Sequence, residues 1–179
     1  MLVKLEKIFD RFSNIMGWIA AFLTLLMLAN VFYDAIARYF FRSGSIALQE
    51  MEWHLFSVAF LFGMAYTLKE DGHVRVDILY DSFTPRWKAV VNIGGVLLLL
   101  LPLSVLIVEG SFWYVHEAYT QNEISGDPGG LTQRWIIKSV IPAAFAFLII
   151  SSAGFIVRNI RIFRGEEAPP VQRIEDDIL

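Results

Sequence analysis

Four long stretches without a Lys, Arg, Asp or Glu, each bounded by charged residues, constrain this chain more than any other feature. They run from Phe12 to Tyr33, Trp53 to Leu68, Ala89 to Val108 and Ser139 to Val157. A hydrocarbon core of about 30 Å needs about 20 helical residues at about 1.5 Å each, so the first, third and fourth stretches are long enough to cross a bilayer. The second, which carries His54 at its start, crosses only if its helix reaches back toward Ile46. Backbone amides cannot go unpaired in lipid, and no segment alternates apolar with polar residues as a membrane barrel strand would. The expected fold is therefore an all-α integral membrane protein with four spans, at about 12-34, 47-68, 88-109 and 137-158.

Composition agrees with that class. Of the 179 residues 56% are hydrophobic and only 18% charged, with a mean hydropathy of +0.53. Fifteen Lys and Arg against eighteen Asp and Glu leave a net charge of −3, so no basic surplus points to nucleic acid. With no cysteine in the chain, disulfides, thiolate metal sites and cysteine nucleophiles are excluded.

The positive charges set the expected orientation. Eleven of the fifteen Lys and Arg fall before the first span, between the second and third, or after the fourth; only Arg38, Arg42, Arg134 and Lys138 lie on the other side. Both termini are thus expected in the cytoplasm. Leu2, Leu5, Ile8, Phe9, Phe12 and Met16 share one helical face, with Lys4, Lys7 and Arg11 around the other side. This pattern predicts an N-terminal amphipathic helix lying in the inner interface before the chain turns into the membrane. A secretory signal with an Ala35-Ile36-Ala37 cleavage site is the alternative, but the apolar stretch exceeds a typical signal core. The membrane domain is expected over 1-165 and a flexible cytoplasmic tail over 166-179.

Several polar groups stand out. Asp34, Arg38 and Arg42 are spaced one helical turn apart and predict an ion-pair ladder. Glu50 and Glu52 stand together at the mouth of the second span; they suit either acid/base or cation chemistry, or a polar cap paired to Arg38 or Arg42, which is the preferred reading. Ala59, Gly63 and Thr67 recur every four residues and form a face for packing on another helix. His73, Arg75 and Asp77 alternate with apolar residues in the loop after the second span, as an anion or metal site or, preferably, a salt-bridged connection. Pro85 suits an early helical position, Pro102 predicts a kink, and Pro142 falls near the expected start of the fourth helix. The loop between the third and fourth spans contains Ser125-Gly126-Asp127-Pro128-Gly129-Gly130, which breaks any helix entering it.

No span carries a mid-depth charge, which argues against a complete secondary transporter in this one chain. Nor is there a Walker loop, a zinc-protease motif or a nucleophile elbow. His54 and His116 share a side, and keep a membrane haem or quinone anchor open as one alternative; a self-contained small-molecule or drug carrier is the other.

With this topology, the chain resembles the small membrane subunit of tripartite ATP-independent periplasmic (TRAP) transporters, the DctQ-like family. The resemblance rests on Asn30 and Arg38-Tyr39-Phe40 closing the first span, Glu50 and Glu52 opening the second, and the string Gly72-His73-Val74-Arg75-Val76-Asp77. The Gly126 to Gly130 loop and Arg134-Trp135-Ile136-Ile137-Lys138 are similar to a branch associated with organic acids. The resemblance implies a non-enzymatic, multi-pass protein of the bacterial inner membrane, without cofactor or metal. It also implies sodium-coupled uptake in which a large multi-span permease carries the substrate and sodium sites and a periplasmic substrate-binding protein delivers the solute. The small subunit would be a scaffold bathed in membrane lipid. Ala59, Gly63, Thr67, Arg38, Glu50, Glu52, His73, Arg75 and Asp77 are then candidates for the subunit interface or its support, and Asp127 and Arg134 for contact with the periplasmic partner.

Overall fold

A computed structural model describes residues 2–72, 80 and 82–166. His73, Arg75, Asp77 and the expected tail from 167 onward lie outside the described residues. Helix α1 spans Leu2–Phe41, α2 Ile46–Lys69, α3 Pro85–Thr120 and α4 Trp135–Arg164. Within α3 the turn Val96–Leu100 is a π-helix. Among the described residues α1, α3 and α4 are long and apolar enough to cross a membrane. Helix α2 has the length, with 24 residues, but does not reach the apolarity of the other three.

The ends of these helices follow from local chemistry. Ser45 caps α2, its hydroxyl accepting the Leu48 amide at 3.4 Å, so the second helix does begin at Ile46 as a crossing would require. Pro85 is the first residue of α3, where its missing amide is harmless. Helix α4 ends at Gly165, whose φ of 75° lets its amide reach the Ile162 carbonyl and the Glu166 amide reach that of Arg161.

Two expectations about helix shape change. The segment expected to lie in the interface does not form a separate helix: α1 runs unbroken for 40 residues, roughly 60 Å at about 1.5 Å per residue. Its early turns are held along α4, with Glu6 buried in an ion pair with Arg161 and Phe9 against Gly154. Pro142 lies inside α4, two turns beyond the start at Trp135, because that helix begins before the span boundary does. At Pro102 the chain inserts the π-turn Val96–Leu100 directly upstream, with the Leu101 amide bonded to the Val96 carbonyl. A wide turn of this kind re-registers the helix where a proline cannot donate.

Neighbouring helices pair antiparallel. Asn14 of α1 accepts a hydrogen bond from Lys69 Nζ at 2.8 Å, while Asn30 Nδ2 donates to the Leu48 carbonyl at 2.8 Å, so α1 and α2 run alongside over their full common length. Between those points Gly17 lies under the Tyr66 ring and Gly63 faces Ala20. One end of the bundle, the loop end, carries the 42–45 turn and the 121–134 connection. The other, the tail end, carries Lys69, Pro85 and Arg164.

Helix α4 is the hub. It touches all three others, and 39% of its most apolar stretch is buried, against 6% for α1 and 11% for α3. Its contact positions are small: Ala144, Ser151, Ser152 and Gly154 are buried, and Ser151 Oγ shares a 2.9 Å hydrogen bond with Ser13 of α1. In lipid, apolar burial gives helices no net drive to associate, so close approach over small residues and a few interhelical hydrogen bonds must supply it. Phe147 adds edge-on ring contacts to Phe12 at 5.5 Å and Phe62 at 5.2 Å, fastening α1 and α2 to the same point on α4. Toward the tail end Leu68, Val96, Leu148 and Phe155 form the compact apolar core.

A Cβ at Gly154 would stand 2.5 Å from that of Phe9, whereas one at Gly110 would meet nothing within 4 Å. Both Gly→Ala changes gain helix propensity of about 1 kcal/mol, but only Gly154→Ala must separate α1 from α4, an overpacking cost of about 1–3 kcal/mol. Thermal unfolding in detergent should show Gly154→Ala at or below the wild-type Tm and Gly110→Ala above it. The reverse order would contradict the packing described here.

Candidate functional site: the loop-end polar knot

Charge is concentrated at the two ends of the bundle, and the loop end holds the denser network. Helix α3 continues to Thr120, and the chain then turns through Asn122, whose φ of 47° lies in the left-handed region. The Gly/Pro cluster forms a tight loop closed by the Ser125 amide on the Leu131 carbonyl at 3.0 Å and the Gly130 amide on the Asp127 carbonyl at 3.0 Å. The Arg134 amide returns to the Glu123 carbonyl at 3.1 Å, bringing the chain back to the top of α4.

Glu50, from the first turns of α2, reaches into this loop. One carboxylate oxygen accepts the Ser125 hydroxyl and the other accepts the Leu131 amide at 2.6 Å. The loop is thereby stapled to a helix about 80 residues earlier in the chain. Gly130 is required here on steric grounds, since a Cβ would fall 2.5 Å from the Ser125 side chain and 2.8 Å from a Glu50 carboxylate oxygen. Beside this staple Glu123 pairs with Lys138 and lies 3.4 Å from Arg134. The Lys138 ammonium also sits 3.9 Å from the centre of the Tyr114 ring, and Tyr119 packs edge-on to Trp135 at 5.4 Å. Glu123, Ser125, Leu131, Lys138 and Tyr114 are not marked as a cluster by the sequence, because nothing in their spacing relates them to Glu50 or to one another.

The polar residues expected to act together at this end separate. Arg38 pairs with the fully buried Asp34 at 2.5 Å, one turn away as expected. Arg42 does not extend that ladder: α1 stops at Phe41, and Arg42 takes a left-handed φ of 52° in the turn. Glu50 finds the loop rather than Arg38 or Arg42, while one oxygen of Glu52 is buried without a hydrogen-bond partner among the described residues. Asp127 is exposed at the loop tip, and Arg134 is turned inward toward Glu123. Ala59 and Thr67 are half-buried, and a Cβ on Gly63 would stand 3.9 Å from that of Ala20 of α1, so part of that small-residue stripe faces a helix of the same chain.

At the tail end Arg158 donates to the Lys69 carbonyl at 3.1 Å, and Lys69 pairs with Glu70 at 2.6 Å. Asn159 is buried, donating to the Phe155 carbonyl at 2.8 Å and accepting from Asn92 at 2.9 Å, with Tyr80 on the same amide. Between the ends, α1 has no charged residue from Phe12 to Tyr33, α2 none from Trp53 to Leu68, α3 none from Ala89 to Val108 and α4 none from Ser139 to Val157. The deep polar groups Ser13, Asn30 and Ser151 are spent on contacts between these helices.

Charged residues are thus kept to the two ends of the bundle, and comparison with known proteins gives the chain a family. The model of the DctQ component of tripartite ATP-independent periplasmic transporters matches residues 27–162. The chain belongs to the DctQ family. A Haemophilus influenzae protein that bears the name TRAP transporter small permease is 31% identical over 144 residues, covering 79% of this chain and 85% of its own. A second H. influenzae protein with the same name is 22% identical over 148 residues, covering 83% and 86%. The DctQ chain is thus a transporter component and not an enzyme.

The Glu50 staple is directly testable. Glu50→Ala leaves the Ser125 hydroxyl and the Leu131 amide without their acceptor, a loss of about 1.5–3 kcal/mol for a charged bond. Hydrogen exchange of the 123–134 amides should accelerate by at least about tenfold while α4 beyond Ile141 stays protected. Unchanged exchange in the loop would show that Glu50 does not hold it.

Proposed function

We propose that this DctQ subunit crosses the membrane four times with both termini in the cytoplasm. On this reading it braces the large permease of a sodium-coupled transporter for organic acids, which a periplasmic binding protein delivers. The observation that carries the reading is the charge-free middle of all four helices, where Ser13 and Ser151 bond to each other, Asn30 bonds to α2, and Thr24, Ser57 and Ser152 bond to carbonyls of their own helices. A subunit built this way offers no partner to an ion or an acidic solute at mid-depth, so passage belongs to the permease.

Helix pairing supports the fourth crossing. Helix α2 lies along α1 from Leu48 beside Asn30 to Lys69 beside Asn14, so a bilayer crossed by α1 between those residues is crossed by α2 as well. The positive-charge bias then puts the tail end inside and the loop end in the periplasm. There the exposed Asp127 and the rim of the knot around Arg134 are available to the loaded binding protein. Ala59 and Thr67 keep part of their stripe for the permease, and Arg38, Glu50 and Glu52 support the interface from the loop end. His73, Arg75 and Asp77 fix the inner connection, so Arg75→Ala and Asp77→Ala should lower the yield of the subunit–permease complex without altering which solute is carried. Normal yield with changed specificity would contradict that role.

The absence of native cysteine makes the topology simple to test. A single Asp127→Cys should react with a membrane-impermeant maleimide in spheroplasts, and a single Glu166→Cys only after lysis; labelling of both before lysis would overturn the four-span arrangement. Reconstitution tests the function: liposomes with this chain alone should show no uptake, and those with permease and binding protein should accumulate an acidic solute down a sodium gradient. Uptake by the isolated chain would favour a self-contained carrier.

A further inference from the structure

The cleft between α2 and α3 has no part in the bracing role. Both helices rest on α4 and scarcely meet each other, so a groove of about 640 Å³ opens over α4 toward the loop end. Its chemistry is graded with depth. Its mouth carries His54, Arg134 and Lys138; from about half a turn to two turns farther along α2 and α4 the walls are Phe56, Phe60 and Ile141.

The carboxylates near the mouth already have donors. Glu50 is committed to Ser125 and Leu131, and Glu123 to Lys138. Arg134 is less fully engaged: its buried Nε–H lies 3.4 Å from Glu123 without a hydrogen bond, Glu123 is shared with Lys138, and 38% of the Arg134 side chain stays exposed. The deeper rings are open too, Phe56 at 50% and Phe60 at 62% exposure. A groove with cations at its rim and bare aromatic surface below matches an amphiphile that carries an anion at one end. A purely apolar permease helix laid in the same place would bury two cations that have only the Glu123 carboxylate between them.

We propose that this groove holds one glycerophospholipid of the loop-end leaflet, with its phosphodiester against Arg134 and Lys138 and an acyl chain over Phe56, Phe60 and Ile141. A guanidinium presents planar paired donors that suit phosphate oxygens, and basic pockets between membrane helices are established headgroup sites in general. The proposal rests on the membrane reading above but not on solute uptake, so its test needs no transport measurement.

The test uses the subunit–permease complex in nanodiscs doped with phosphatidylglycerol bearing a photoreactive group on one acyl chain. After illumination, peptide mapping should find adducts concentrated on residues 53–61 and 134–141 above the level at the exposed face of α1 around Trp18 and Phe22, which reports ordinary annular lipid. Arg134→Gln should lower groove labelling by about tenfold relative to that internal reference, as expected for loss of one charge-assisted contact. Ser57→Trp, which fills the groove from α2, should remove groove labelling while leaving α1 labelling unchanged. Each variant is scored only as an assembled complex of wild-type Tm, so a folding defect in one leaves the other to decide. Labelling no greater in the groove than on α1, or labelling indifferent to both variants, would overturn the proposal. Efficient cross-linking of a single cysteine at position 57 to the permease would overturn it as well, because the groove would then hold protein.

Discussion

Helices in a bilayer gain little by hiding apolar surface from one another, since lipid tails are as apolar as the side chains they replace. Everything in this structure depends on how α4 meets that constraint. It puts Ala144, Ser151, Ser152 and Gly154 where other helices touch it, and admits Phe9, Ser13 and Phe147's ring partners at close range. The hydrogen bond between Ser13 and Ser151, and the amide of Asn30 on the Leu48 carbonyl, add direction without adding charge. The bundle is therefore ordered by shape and a few polar clasps. Its charged groups are left to the ends, where water and lipid headgroups accept them.

The ends do different work. The tail end ties α4 back to α1, α2 and α3 through Arg161, Arg158 and Asn159 in turn, so three elements converge on one helix terminus. The loop end instead folds a connection of its own, with Glu50 as the residue that joins it to the bundle. Because Gly130 leaves no space for a side chain, the staple dictates the loop's path as well as its position. A rigid loop on a rigid bundle suits a component that offers a fixed surface to moving partners.

Much of the architecture could be read from residue order. The charge-free blocks marked the helices, Pro85 marked the start of α3, and Asp34 with Arg38 followed from helical spacing. What could not be read depends on contacts between distant segments. Glu50 looked like a partner for Arg38 or Arg42, yet a loop amide and a hydroxyl 75 to 81 residues away satisfied it first. Glu6 carries no signal in the sequence, because the partner that buries it, Arg161, lies 155 residues away. Pro102 announced a disturbance in α3 but not its form, since a π-turn and a simple kink begin from the same missing amide. The small-residue stripe predicts a packing face, but spacing cannot say which helix arrives, and at Gly63 the neighbour is Ala20 of α1.

The pair between Glu6 and Arg161 joins residues 155 positions apart, and the seat of Phe9 on Gly154 lies beside it. Ribosomal synthesis delivers the first of these partners long before the second. Until the last helix is made, the Glu6 carboxylate has no cation and the Phe9 ring no socket. A chain truncated before Gly154 would leave that acidic and aromatic edge of α1 uncovered.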